Sequence, residues 1–175
     1  MRYKHVFAVC AYKDSPYLEQ CIRSLKAQTV PSHIIICTST PSSYIDRLAW
    51  KYGLQVYVRQ GESNIKDDWN FAYSMAEGEL VTIAHQDDMY HRDYSARLLA
   101  AHRRYPDMTV FTTDYVIVKQ GALITGDAML WIKRILRTPL RFPQMNDRAW
   151  VKKLAFVLGN PICCPATTYH KAVLG

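Results

Sequence analysis

The run Val6-Phe7-Ala8-Val9-Cys10-Ala11, followed by Ser15-Pro16 and then by Leu18, Cys21, Ile22 and Leu25, decides the fold class. The run is short, apolar and without polar alternation, which is the pattern of a strand buried on both faces. Serine before proline opens a helix: serine as N-cap, proline at the first helical position, where its missing N–H does no harm. The four apolar residues that follow fall at i, i+3, i+4 and i+7, one stripe of an amphipathic helix. A buried strand feeding such a helix is the first half of a βαβ unit.

The alternation continues outward from this unit. Ile34-Ile35-Ile36-Cys37 reads as a second strand. Ser43-Tyr44-Ile45-Asp46 has the form of a capping box, opening a helix that stops at Gly53. Leu54–Val58 is a third strand, Asp67–Ala76 a helix closed by Gly78, and Leu80–Ala84 a fourth strand. A helix over Tyr94–Tyr105 ends at Pro106, and a strand over Thr109–Val118 leads to a hairpin turn at Gln120-Gly121. Beyond Asp127 two helical segments, Met129–Leu136 and Arg148–Leu158, flank Pro139 and Pro143, and Ala166–Tyr169 is extended. The expected architecture is α/β, with a mostly parallel central sheet and helices on both faces. Residues 1–127 are expected to form an α/β core, and residues 128–175 a basic helical segment opening a further region of the same domain.

Composition narrows the class. With 175 residues, 49% hydrophobic and 21% charged, the chain has the makeup of one ordinary globular domain. No apolar run approaches the roughly 20 residues that cross a bilayer. The stretch Val6–Tyr12 is short for a signal peptide and ends at Lys13-Asp14 with no small-residue cleavage site, so a cytoplasmic location is expected. Five cysteines, an odd count without C-x-x-C spacing, read as buried reduced thiols, with Cys10 and Cys37 inside strands and Cys163-Cys164 adjacent.

The net charge of +7 is local. Between Ala128 and Leu158 lie Lys133, Arg134, Arg137, Arg141, Arg148, Lys152 and Lys153 against the single acid Asp147, so this segment carries nearly all of the excess. No nucleic-acid motif accompanies it, which argues against a nucleic-acid partner. Trp131, Ile132, Ile135 and Leu136 interleave with the basic residues as in an interfacial amphipathic helix, which suits a peripheral membrane contact on the cytoplasmic face. An ordinary helix with its cations in water fits equally. A non-enzymatic basic module for membrane surface or nucleic acid is therefore the alternative to an enzyme.

In parallel sheets ligands bind beyond the carboxyl ends of the strands. There the chain delivers Ala11-Tyr12-Lys13-Asp14, Thr38-Ser39-Thr40 and His85-Gln86-Asp87-Asp88. Two adjacent carboxylates at the end of a buried strand repel unless a cation offsets them. Mg²⁺ or Mn²⁺, held by one or two carboxylates and completed by phosphate oxygens, suits the pair. The bland reading is a solvated loop in which Asp88 caps a helix. A further reading joins His85 and Asp87 to His91, His102 or His170 as a two-histidine, one-carboxylate Fe(II) site, although such sites belong to all-β barrels.

Four stretches together resemble glycosyltransferase family 2, the inverting nucleotide-sugar transferases of GT-A fold. Phe7–Tyr12 resembles the opening strand with its tyrosine. Cys21-Ile22-Arg23-Ser24-Leu25-Lys26-Ala27-Gln28-Thr29 resembles the family's C-x-x-S-L-x-x-Q-T helix. Asn70-Phe71-Ala72 with Ala76-Glu77-Gly78-Glu79 resembles the helix before the metal strand, and His85-Gln86-Asp87-Asp88 stands where the D-x-D-D metal motif stands.

The resemblance implies a metal-dependent, inverting transfer from a nucleotide-diphosphate sugar to an acceptor hydroxyl, on a saccharide or a lipid-linked acceptor, in cell-surface polysaccharide biosynthesis. It implies Asp87 as the metal carboxylate and Ala11, Tyr12, Lys13, Thr38, Ser39, Asn64, Lys66, Gln86 and Asp88 as the donor-binding set. Tyr12 would pack on the base, and Thr38-Ser39-Thr40 stands where the family has an aspartate. Asn160–Tyr169 resembles the strand on the acceptor side, after which the family places its catalytic base. The last acidic residue here is Asp147, so the chain is expected to be a fragment lacking the base, with Asp114 as the one substitute candidate.

Overall fold

The structure, a computed structural model, describes residues 2–119, 121–124, 127–142, 144–145, 148–157 and 159–174. In chain order the elements are β1 (Tyr3–Ala11), α1 (Leu18–Lys26), β2 (His33–Thr38), α2 (Ser43–Tyr52), β3 (Gln55–Val58), α3 (Ile65–Met75), β4 (Gly78–His85) and α4 (Tyr94–Arg104). They continue with β5 (Val110–Thr112), β6 (Ile117–Lys119), β7 (Ala122–Ile124), α5 (Ala128–Arg137), a 3-10 turn (Thr138–Arg141), α6 (Ala149–Phe156), β8 (Thr167–His170) and α7 (Lys171–Leu174). Two compact units emerge: Met1–Phe111 with Thr167–Gly175, and Thr112–Ala166.

The first unit is built on a sheet of order β3-β2-β1-β4-β8-β5. β1 pairs in parallel with β2 and β4, β2 pairs in parallel with β3, and β8 joins β4 antiparallel, Leu80 opposite His170. Side chains of β1 alternate between two cores, as the period of a strand requires. Phe7, Val9 and Ala11 face the core completed by Leu18, Ile22 and Leu25 of α1, Ile45 of α2 and Leu98 of α4. Val6 and Ala8 face the other, with Ile35 and Cys37 of β2 and Ala72 of α3. The expected mainly parallel sheet with helices on both faces is present.

One polar chain runs through the first core. His5 bonds Ser32 Oγ and Thr82 Oγ1, both at 2.8 Å, Thr82 meets Thr168, and the Tyr94 hydroxyl reaches Thr168 Oγ1 at 2.8 Å. Burial pushes the His5 imidazole down to about 3, so it is a neutral member of the network. Cys21 and Cys37 are buried, and burial pushes both thiols up, Cys21 to about 12, in line with inert core cysteines.

Element ends differ from the sequence reading by local hydrogen bonding. α1 starts at Leu18, because Ser15 and Tyr17 close a turn first, with Ser15 Oγ accepting from the Tyr17 N–H. The cap of α2 is Ser42, whose hydroxyl accepts from the Ile45 N–H, and Gly53 ends the helix at φ 60°. α3 begins at Ile65 under an Asn64 cap and ends at Met75 with Ala76 as its C-cap, while Gly78 opens β4. The strand expected over Thr109–Val118 is broken into β5 and β6. Thr113 N–H turns to the Ala166 carbonyl, and Asp114 is drawn into ion pairs with Arg134 and Arg137.

In the second unit β6 and β7 form the expected hairpin, Ile117 opposite Ile124; Gln120 of its turn lies outside the described residues. Asp127 caps α5 by accepting from the Leu130 N–H at 2.8 Å. Leu130, Val151 and Ala155 are buried, whereas Trp131, Ile132, Ile135, Trp150 and Phe156 are exposed. Among the described residues no helix is long and apolar enough to cross a membrane.

Gly78 of β4 packs against Val6 of β1 with no room for a side chain. A Cβ there would stand 2.7 Å from Val6 Cγ2 and 2.8 Å from the Leu80 carbonyl oxygen, and neither buried neighbour can withdraw. Gly78→Ala is expected to cost about 1–3 kcal/mol in urea unfolding with an unchanged m-value.

Candidate nucleotide and metal site

Parallel pairing sets the carboxyl ends of β1, β2 and β4 side by side, with Cys10 opposite both Cys37 and His85. The next residues of each strand therefore share one rim. Gln86 ties two of them together: its Oε1 accepts from the Tyr12 N–H at 2.9 Å and its Nε2 donates to the Tyr12 carbonyl at 3.1 Å. Lys13 holds φ 53°, a left-handed conformation uncommon outside glycine, and is retained by its N–H bonding Thr40 Oγ1 at 2.7 Å. The Tyr12 ring stays 46% exposed beside the Lys13 ammonium, open to a flat partner.

The loop after β4 is held from below by α1. Cys21 Sγ donates to the His85 carbonyl at 3.3 Å. Ser24 Oγ accepts from the Tyr90 N–H at 3.1 Å, and Gln28 donates to the His91 carbonyl and accepts from the Ser95 N–H. Thr29 N–H bonds the Arg92 carbonyl at 2.8 Å. The polar residues of the Cys21–Thr29 motif thus act on the backbone of residues 85–95 and set the path of the carboxylate loop.

On that loop His85, Asp87 and Asp88 bring one ligand atom each to within 4.8 Å of one another. His85 stacks on Trp69, its Nε2 is buried without a hydrogen bond, and its Nδ1 lies 3.6 Å from Asp88 Oδ2. Burial, and then the neighbouring Asp87 charge, push the Asp88 carboxyl up to about 6. Burial lowers the His85 imidazole, with Asp87 opposing. An imidazole with a buried nitrogen that makes no hydrogen bond, close to two crowded carboxylates, is a donor set that a divalent cation would satisfy, so these residues fit such an ion. His85, the first position of the motif and, with Asp87, a ligand in the iron reading, belongs to the cluster.

Other expected donor residues are placed differently. Thr38 is buried and its Oγ1 accepts from the Thr40 N–H. Ser39 Oγ donates to Asp68 Oδ2 at 3.0 Å, where Asp68 also pairs with Arg59 at 2.7 Å and accepts from Ser63. Burial would raise the Asp68 carboxyl, but the bonds from Arg59, Ser63 and Ser39 hold it below the usual range. Sequence reading passed over the Arg59–Asp68 pair, although a lone arginine at the end of a strand and an acid in a first helical turn were both visible. Asn64 caps α3: its Oδ1 accepts from the Asp67 N–H and its amide donates to Asp67. Gln86 is engaged with the Tyr12 backbone, and Lys66 is exposed on the first turn of α3.

Asp114 is a poor base. Burial would raise it, but the Tyr115 N–H, Arg137 and Arg134 hold it below the usual carboxylate range, where it serves as a counter-ion. The three histidines of the iron reading do not gather at Asp87. His91 is exposed beside Asp93, and His102 and His170 stand by Glu79.

No curated protein matches the chain by sequence. Among solved structures, Staphylococcus aureus TarS 1-349 in complex with UDP superposes with TM-score 0.64 at 19% identity, covering 98% of this chain and 48% of that one. Glucosyl-3-phosphoglycerate synthase from Mycobacterium tuberculosis, in complex with UDP, gives TM-score 0.61 at 12% identity over 98% of this chain and 58% of that one. The mannosyltransferase PcManGT from Pyrobaculum calidifontis, in complex with GDP-Man and Mn²⁺, gives 0.52 at 17% identity over 63% and 35%. The chain spans about a third to somewhat over half of these proteins, and the likeness establishes the GT-A fold. The family model for glycosyl transferase family 2 matches residues 6–159, most of the sequence, and the chain belongs to that family.

Proposed function

We propose that this chain carries the donor half of a metal-dependent, inverting glycosyltransferase, which moves a sugar from a nucleotide diphosphate to an acceptor hydroxyl. The observation that carries the reading is the His85, Asp87 and Asp88 cluster at the end of β4, beside the rim of Tyr12 and Ser39. Asp87, the exposed carboxylate, is the main metal ligand, with Asp88 and His85 beside it. Bound Mn²⁺ or Mg²⁺ would neutralise the diphosphate and the charge that grows on it as leaving group. Tyr12 stacks on the base, Ala11 and Lys13 border it, and Thr38 shapes the turn that presents Ser39. Asp68, fixed by Arg59 under Ser39, takes up the carboxylate role that the second strand end lacks.

In the reaction the bond between the anomeric carbon and the donor phosphate oxygen breaks as the acceptor oxygen attacks from the opposite face. The acceptor proton passes to a carboxylate base. Asp114, held by two arginines, is not that base. Neighbouring GT-A structures hold GDP-Man, UDP and UDP-GlcNAc, which supports a nucleotide-sugar donor without choosing the nucleotide. Functionally, residues 1–127 supply the donor core, and residues 128–175 open the acceptor side. Trp131, Ile132 and Trp150 together with exposed Arg141, Arg148, Lys152 and Lys153 suit a lipid-linked acceptor at a cytoplasmic membrane face in polysaccharide assembly.

Calorimetry with UDP-, GDP- and dTDP-sugars plus Mn²⁺ is expected to show binding of one of them, weakened about 100-fold or more by Asp87→Ala. Absence of binding by all three, or binding indifferent to Asp87→Ala, would sink the reading.

Asp88 supplies a pH test on the metal-free protein. Its folded-state value lies above the ordinary one, so the folded chain holds a proton that the unfolded chain has lost. Stability from this group is full below pH about 4 and is lost as pH rises through about 6. Asp88→Asn is therefore expected to stabilise the metal-free protein at pH 7, by about 1 kcal/mol after allowance for solvent screening, while weakening Mn²⁺ binding. Thermal unfolding at pH 4 and pH 7 checks the sign: the gain should vanish at the lower pH.

The membrane contact is tested by co-sedimentation with anionic vesicles at low salt. Lys152→Ala with Lys153→Ala is expected to lower the affinity by roughly 30-fold, at about 1 kcal/mol per cation. Failure of the unaltered chain to sediment removes this part of the reading.

A further inference from the structure

At the opposite end of β4 stands a second constellation. Glu79 is the second residue of β4, six residues before His85 and hence about 20 Å from the carboxylate loop. His102 comes from the last turn of α4 and His170 from the end of β8. Both histidines are more than nine-tenths buried, at 6% and 5% exposure, while the Glu79 side chain keeps 29% and leaves an entry path.

The hydrogen bonds around these groups leave one point unfilled. His170 Nδ1 lies 2.9 Å from the Met108 carbonyl, which only accepts, so Nδ1 carries a proton and Nε2 is the nitrogen turned to the carboxylate. That Nε2 lies 3.5 Å from Glu79 Oε1. His102 Nε2 lies 3.2 Å from the same oxygen, is buried, and makes no hydrogen bond. Lys4 takes the other oxygen, Oε2, at 2.7 Å and so orients the carboxylate. Three candidate ligand atoms, one from each residue, thus converge within 4.8 Å of one another. Edges of 3.2 and 3.5 Å bracket the ligand–ligand separation of about 3.3 Å in a tetrahedral centre with metal–ligand distances near 2.0 Å. A carbonyl on the far nitrogen of His170 and an ammonium on the far oxygen of Glu79 are the outer partners that metal ligands commonly have.

We propose that Glu79, His102 and His170 form a binding site for a divalent transition metal of the Zn²⁺ class, separate from the donor-site cation. One ion there joins β4, α4 and β8, and β8 is the strand that enters the sheet antiparallel. The site is a structural staple with a fourth position open to water.

The test uses the whole chain, stripped with chelator and carrying Asp87→Asn and Asp88→Asn so that the donor site is silent. Titration with Co²⁺ is expected to give one equivalent of binding with the visible absorption of a tetrahedral centre, bleached by Zn²⁺. His102→Asn or His170→Asn should weaken it about 100-fold or more. Zn²⁺ should raise the thermal midpoint of the parent chain and leave those variants unmoved. Should the variants fail to fold, long-range proton–nitrogen spectra of the parent decide: Zn²⁺ must shift Nε2 of His102 and His170 and leave His5 in place. No cobalt spectrum, a spectrum indifferent to His102→Asn, or unshifted nitrogens would overturn the proposal and leave a proton-bridged His–Glu–His cluster.

Discussion

Everything at the rim beyond the strand ends depends on the pairing of β1 with a parallel neighbour on each side. Because Cys10 stands opposite Cys37 in one direction and His85 in the other, three strand ends finish at the same height. A slip of one residue in any of them would turn every core side chain to the wrong face. Val6 to Val9 are fully buried between two cores, so the register is enforced by packing on both sides. The rim is the consequence: Tyr12, Ser39 and Gln86 are neighbours because the residues beneath them cannot move.

The carboxylate loop shows the same dependence one layer out. Asp87 and Asp88 repel each other, and a loop left to itself would separate them. It is kept in place by bonds to its backbone from Cys21 and Ser24 of α1 and from Gln28 and Thr29 just beyond that helix, and by the amide of Gln86 across to Tyr12. Asp88 bears the cost as a raised carboxyl. Arranged in this way, the loop stores an electrostatic demand that a divalent cation would relieve.

Much of the fold was legible because its signals are local. Strand runs such as Ile34–Cys37 and the stripe Leu18, Cys21, Ile22, Leu25 need no tertiary information, since burial on both faces or on one stripe is written in their spacing. Helix ends were less legible. Whether Ser42 or Ser43 caps α2, and whether Asn64 is a cap or a ligand contact, turns on single hydrogen bonds between adjacent polar residues. The pairing within the basic segment was illegible for a similar reason: Arg134 and Arg137 read as surface cations in a sequence, and both pair with Asp114.

The sequence by itself determined the α/β class, the pair Asp87-Asp88 at the end of a buried strand and the family that those residues resemble. These are properties of neighbours in the chain, governed by periodicity and by charge repulsion over one peptide. Only the tertiary structure decided that Asp68 on its Arg59 support lies under Ser39, and that Glu79, His102 and His170 meet at the other end of β4. Those groups are separated by up to 91 positions in sequence and come together through strand pairing and helix packing. No local pattern encodes such a meeting, because its distances are set by the sheet.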